Sequence, residues 1–364
     1  MHRWLGLGSG LVVLLMGITG CILAFELEIR KLTEPHQFTA VENKPYLPPS
    51  VLKAGAEQYL EGKKVNGIEY PRSGKSALAY YYDTDNYWLV TLNPYTGKML
   101  RVKNMKRDFF RVVLDGHFYL WLPPAIGRPV VASATLIFLG MMITGLVLWW
   151  PKNKAARKQR FTVKWNARWR RVNYDLHSVL GFYMSWAAIF LALTGLVMGF
   201  EWFAKSVYWV SSAGKTMPAD IHPVSDTLAP KPGFDMADRL WAQVSNRKKE
   251  NEGIALYYPL TDTDPLEIAI NHRPGTYYNI DFYHFDQYSG VELAATGTYA
   301  GPFRHASFAD KIKRMNYDIH VGAVLGLPGK IIAFCASLIA ASLPVTGFYM
   351  WWGRRKKKGK LSVL

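Results

Sequence analysis

Four stretches of the chain repeat one phrase, and each is long enough to cross a membrane. Trp4–Leu27, Pro129–Trp150, Val179–Phe203 and Gly329–Trp352 are almost wholly apolar. At about 1.5 Å per helical residue, about 20 residues span a hydrocarbon core of roughly 30 Å. Each run carries a Thr-Gly pair and has a histidine on its N-terminal side. His2 goes with Thr19-Gly20, His117 with Thr144-Gly145, His177 with Thr194-Gly195 and His320 with Thr346-Gly347. The second and fourth runs also end alike, Thr144-Gly145 leading to Trp149-Trp150 and Thr346-Gly347 to Trp351-Trp352.

The formal charge of +17 raises nucleic acid as a partner, but its placement excludes that reading. The densest basic runs follow the double tryptophans. One holds Lys152, Lys154, Arg157, Lys158, Arg160, Lys164, Arg168, Arg170 and Arg171; the other holds Arg354, Arg355, Lys356, Lys357, Lys358 and Lys360. Basic residues beyond an interfacial tryptophan mark the cytoplasmic side. Both termini are then expected in the cytoplasm, and the two large loops, about 28–116 and 204–318, on the opposite side. In a bacterial cell that is the periplasm, and the membrane is the inner one.

The two cysteines, Cys21 and Cys335, both lie in apolar runs. That leaves no disulfide framework, no CxxCH for covalent haem and no thiolate zinc site. Ile18-Thr19-Gly20-Cys21 also resembles a lipoprotein cleavage site. The apolar run continues past the cysteine, which favours a retained span.

The loops repeat one plan. In the first, Ser50–Glu61 reads as a helix, followed by strands over Gly67–Tyr70, Ala77–Tyr82, Tyr87–Leu92 and Lys98–Val102. In the second, Asp235–Ser245 reads as a helix, followed by strands over Gly253–Tyr258, Leu266–Asn271 and Tyr277–Phe285. The turn Asn93-Pro94-Tyr95-Thr96-Gly97 aligns with Asp286-Gln287-Tyr288-Ser289-Gly290. The expected fold is a polytopic α-helical membrane protein whose four transmembrane helices arise from an internal duplication, with two periplasmic α+β modules. The expected segments are a first span over 1–27, a module over 28–106, an interfacial helix over 107–122 and a second span over 129–150. A basic loop over 151–175, a third span over 179–203 and a second module over 204–307 follow. An interfacial helix over 308–326, a fourth span over 329–352 and a basic tail over 353–364 complete the chain.

These residues together resemble the PepSY-associated transmembrane family. The resemblance rests on His2-Arg3-Trp4-Leu5-Gly6, the Asn93–Gly97 turn, His117 ahead of a span ending Thr-Gly-x3-Trp-Trp-Pro, Asp175-Leu176-His177-Ser178-Val179-Leu180-Gly181, and Thr346-Gly347 with Trp351-Trp352 and Arg354-Arg355. It covers nearly the whole chain. It implies PepSY-like modules, b-type haem and reduction of a ferric siderophore in the periplasm, releasing Fe(II) for iron uptake. The electron donor is expected from the cytoplasm or the quinol pool.

Haem b needs axial ligands, and neutral imidazole suits them. Helix length places His2 and His177 in one layer and His117 and His320 in another, so each pair is expected to clamp one of two haems. Gly20 and Gly195 fall about 27 Å along the helix from His2 and His177, at the level of His117 and His320. Gly145 and Gly347 fall at the level of His2 and His177. A glycine there lets a porphyrin approach; the alternative is small-residue helix packing. For a single histidine, anchoring a helix end is the simpler reading. Four at repeated positions, among nine histidines in all, favour haem.

Asp115, Asp175 and Asp318 each stand two residues before a candidate ligand, and ion pairing with nearby basic residues is their expected role. Arg304, His305 and Arg111 are candidate substrate contacts. His36, His222, His272 and His284 read as solvated or structural. Two rival functions remain open: a quinol-linked b-type cytochrome, and a non-redox PepSY module that binds or inhibits a periplasmic peptidase.

Overall fold

The computed structural model describes residues 2–358, apart from 152, 155–159, 231–232, 234, 248 and 250. Lys152, Arg157, Lys158 and Lys360 of the basic runs therefore lie outside the described residues, as do the side chains of Arg354, Arg355, Lys356, Lys357 and Lys358. The chain divides into a helical unit (1–26, 112–204 and 318–364) and a sheet unit (27–111 and 205–317).

The helical unit contains four helices long and apolar enough to cross a membrane: α1 (His2–Ala24), α5 (Pro124–Trp149), α6 (Trp169–Gly199) and, within α10 (Leu327–Lys358), the stretch Leu327–Gly353. Each packs on two others in the cyclic order α1, α5, α6, α10. Small residues allow the close crossings. A Cβ at Gly17 of α1 would fall 2.7 Å from both Ala341 Cβ and the Ser337 carbonyl oxygen of α10, so only glycine fits. Met142, Ala188 and Ala336 form the buried centre between α5, α6 and α10.

The sheet unit holds α2 (Glu26–Thr33, entered at its first residue), α3 (Pro49–Glu57), β1 (Gly67–Tyr70), β2 (Ala77–Tyr82), β3 (Tyr87–Leu92) and β4 (Met99–Asn104). The chain then runs through α4 (Phe109–Tyr119) to the spans. After α6 come α7 (Glu201–Ser211), α8 (Met236–Ser245), β5 (Gly253–Tyr257), β6 (Leu266–Asn271), β7 (Ile280–Phe285), β8 (Glu292–Leu293) and α9 (Phe308–His320).

The strands form one antiparallel sheet of eight, in the order β4-β3-β2-β1-β5-β6-β7-β8. The two sets of four meet where β1 pairs β5, with Ile68 opposite Leu256. Alternation sends Ile68, Ala79, Val90, Leu256, Ile268 and Ile270 to one face, where Leu52 and Ala56 of α3 and Leu240 and Val244 of α8 cover them. Ser50 N donates to Asp238 Oδ1 at 2.9 Å and ties the two helices together. The aligned turns close in the same way. Asn93 Oδ1 accepts from Tyr95 N at 2.8 Å, and Asp286 Oδ1 accepts from Tyr288 N at 3.0 Å. Each ends on a left-handed glycine, Gly97 and Gly290.

The structure departs from the sequence reading in several places. The two expected modules are not separate sheets; β1–β5 pairing fuses them, and alternation within each strand carries no information about which strand lies next to it. The expected third span, 179–203, lies in a helix with other bounds. Its helix starts at Trp169, because the Arg171–Asp175 pair (Nε to Oδ1, 2.8 Å) supports a polar first stretch. It stops at Gly199, and Phe200 is extended before Glu201 opens a new helix. The helix of the second expected span, 129–150, begins earlier, at Pro124, since proline at the first helical position costs no hydrogen bond. The interfacial helices are shorter than 107–122 and 308–326, ending at Tyr119 and His320.

A candidate paired-histidine cofactor site

Every candidate histidine meets a Thr-Gly pair, and always the pair of the neighbouring span. Thr19 Oγ1 lies 2.9 Å from His117 Nδ1, and Thr144 Oγ1 lies 3.0 Å from His2 Nδ1. Thr194 Oγ1 lies 2.9 Å from His320 Nδ1, and Thr346 Oγ1 lies 2.8 Å from His177 Nδ1. These contacts are reciprocal within each half of the chain.

The threonines also set the tautomer. Each hydroxyl donates its own proton one turn back, Thr19 to Leu15 O at 2.7 Å, Thr144 to Gly140 O at 2.9 Å, Thr194 to Phe190 O at 2.7 Å and Thr346 to Ser342 O at 2.9 Å. With that proton committed, the oxygen accepts from the imidazole, so Nδ1 carries the hydrogen. His320 Nδ1 also faces Leu191 O at 3.1 Å, a group that can only accept. Nε2 is then the nitrogen with a free lone pair, the form a metal requires.

The glycines lie under the rings. A Cβ at Gly20 would sit 3.5 Å from His117 Cε1, at Gly195 3.5 Å from His320 Cε1, at Gly347 3.5 Å from His177 Cε1 and at Gly145 3.6 Å from His2 Cε1. The open face of each glycine thus meets an imidazole. A methyl group at Gly145, Gly195 or Gly347 would make ordinary contacts, one at Gly20 would also press on Ser337 Oγ at 3.2 Å, and a larger side chain would push the ring away.

His117 and His320 come from different halves and face each other with ring centroids 6.2 Å apart. A metal–imidazole bond of about 2.0–2.1 Å, plus the radius of the ring, puts a metal roughly 3 Å from each centroid. Two such rings on one ion stand about 6 Å apart, so the spacing of this pair fits bis-imidazole ligation. His2 on α1 and His177 on α6 carry the same threonine contact.

Local backbone features position the ligands. His177 lies in a π-helical turn, Leu176–Leu180, set inside α6. The wider turn rotates its side chain relative to a regular helix, as π-bulges do at functional sites. At the end of α4, Leu120 and Trp121 adopt left-handed φ of 54° and 57°, which folds the Trp121 ring back over Gly116. A Cβ at Gly116 would meet that ring at 2.3 Å, which is why glycine precedes His117. Neither the π turn nor the threonine contacts was read from the sequence. The repeated Thr-Gly was visible, but only its glycine was given a role.

Other candidates are more dispersed. Asp175 pairs with Arg171 as expected. Asp318 is fully buried. Arg111 is exposed; its backbone N donates to Asp108 Oδ1 at 3.1 Å and its guanidinium lies over the Tyr87 ring. Burial pushes the Asp108 carboxyl up, but Arg30 and Lys103 outweigh this and hold it at about 2. Arg304 and His305 stand exposed on the short turn Phe303–His305, with no contact to Arg111 among the described residues.

No curated protein matches the chain. The family described as the PepSY-associated TM region matches residues 1–354. With four membrane-length helices, a shared sheet and this match along nearly its full length, the chain is a multi-pass membrane protein belonging to the PepSY-associated TM family.

Proposed function

We propose that this protein is an inner-membrane, haem b-dependent oxidoreductase that reduces a ferric siderophore in the periplasm and so releases Fe(II). The single observation that carries the reading is the approach of the His117 and His320 rings to 6.2 Å, each with its Nδ1 bound to a threonine so that Nε2 keeps its lone pair. His117 and His320 would hold one haem, and His2 and His177 a second. Bound haem would supply one-electron chemistry between Fe(III) and Fe(II). The chain's own part is to orient four imidazoles through Thr19, Thr144, Thr194 and Thr346, and to keep larger side chains away through Gly20, Gly145, Gly195 and Gly347.

The reciprocal threonine contacts within each half, and the strand order mirrored about β1 and β5, support reading the halves as a duplication. The basic runs beyond Trp150 and Trp352 support cytoplasmic termini and a periplasmic sheet unit. Arg111, Arg304 and His305 are the proposed contacts for an anionic chelate, and the donor is cytoplasmic or quinol.

The purified protein should be red, with a Soret band and a dithionite-reduced α band from about two haems per chain. Mixing reduced protein with ferric chelates in a stopped-flow device should reoxidise it. A colourless preparation, or reduced protein inert to every chelate, refutes the proposal.

A further inference from the structure

Away from the helical unit, His222, Glu267 and His284 form the one group of three His, Cys, Asp or Glu side chains among the described residues with its donor atoms gathered, all within 4.8 Å of one another. Glu267 on β6 and His284 on β7 are directly opposed across the strands. His284 Nε2 lies 3.0 Å from Glu267 Oε2. Both project from the sheet face opposite α3 and α8, since their neighbours Ile268 and Phe285 fill the core beneath those helices. His284 is buried and Glu267 is largely so, a setting in which a carboxylate and an imidazole are costly without a partner charge.

The third residue reaches the same place by a different route. His222 belongs to the irregular segment between α7 and α8, and that segment is stitched to the sheet unit immediately before it. Thr296 N donates to Ile221 O at 3.3 Å, and Thr298 N donates to Asp220 Oδ1 at 3.0 Å. The His222 ring then stands 5.9 Å from the His284 ring, centroid to centroid. In a tetrahedral site with bonds of about 2.0–2.1 Å, donor atoms lie roughly 3.3 Å apart. Glu267 and His284 already meet that spacing, and the exposed His222 side chain closes the rest by a small swing.

The geometry points to a divalent transition-metal site formed by His222, Glu267 and His284. Two imidazoles and one carboxylate leave one or more positions open to water, a donor set that suits Zn(II), Co(II) and Fe(II) and not Ca(II) or Mg(II). The site shares no residue with the paired histidines, and it stands whether or not those hold haem.

The test uses the full-length protein in detergent, stripped with a chelator and titrated with Co(II), then with Zn(II). Co(II) should develop d–d absorption saturating at one equivalent, and Zn(II) should displace it. His284→Ala, Glu267→Gln and His222→Ala should each weaken Co(II) binding by about tenfold or more, with any Soret band unchanged. His222→Ala is the decisive variant, because an exposed residue on an irregular segment can be removed without disturbing the sheet. Wild-type protein that binds neither ion, or three variants that bind as the wild type does, overturns the site.

Discussion

His117 Nδ1–H donates to Thr19 Oγ1 at 2.9 Å, joining residues 98 positions apart. The same bond recurs between His320 and Thr194 at 2.9 Å. The two histidines so held face each other from opposite halves of the chain. Orientation therefore comes from within a half, and pairing comes from between halves. That division of labour gives the predictions for the cofactor site.

Thr346→Val keeps the shape of the side chain but removes the acceptor for His177. Loss of such an orienting partner costs about 10–100-fold in metal affinity at other sites. Haem transfer from the variant to a haem scavenger should be faster by that order, while Thr346→Ser should behave as the wild type. Equal loss rates for all three proteins would remove the orienting role.

A methyl group at Gly195 would lie 3.5 Å from His320 Cε1 and 3.9 Å from Thr135 Cγ2, so a leucine there would extend from a carbon already in contact with the ring. Gly195→Ala should retain two haems per chain, and Gly195→Leu should retain about one, by pyridine haemochromogen assay. A leucine variant with full haem content contradicts the assignment.

Ile68 is fully buried in β1, the strand that joins the two sets of four. Ile68→Ala should destabilise the protein by about 2–5 kcal/mol, by transfer loss plus a residual cavity. Leu228→Ala, at a residue 93% exposed, should change stability by less than about 0.5 kcal/mol. Denaturant melts followed by circular dichroism compare the two.

His272 bridges Glu252 (Nδ1 to Oε1, 2.8 Å) and Asp281 (Nε2 to Oδ2, 2.9 Å). Burial pulls its pKa down, but the two carboxylates outweigh that and leave it raised above 6.5. A raised folded-state pKa gives stability that is complete below the unfolded value and is lost as pH rises through the folded one. The Tm advantage of wild type over His272→Gln should therefore be largest below about pH 6 and shrink on going alkaline. A difference that grows with pH reverses the sign and excludes this linkage.

Much of this protein was legible in its residues. Four apolar runs of membrane length, helices starting near Ser50 and Asp235, and strands such as Ala77–Tyr82 and Tyr87–Leu92 follow from hydropathy period and turn chemistry, which act over a few residues. The levels of Gly20 against His117 and Gly347 against His177 follow from helix rise alone. What local pattern does not encode is which element lies beside which. Only tertiary structure decided that β1 pairs β5 and makes one sheet, since the backbone bonds of a strand are the same for any neighbour. Only tertiary structure gave Thr19, Thr144, Thr194 and Thr346 their imidazoles, because a hydroxyl already bonded to its own helix does not announce a second partner. It also brought His222 from an irregular segment to Glu267 and His284, a convergence that depends on the hydrogen bonds to the Asp220 side chain and the Ile221 backbone and leaves no periodic trace in the sequence.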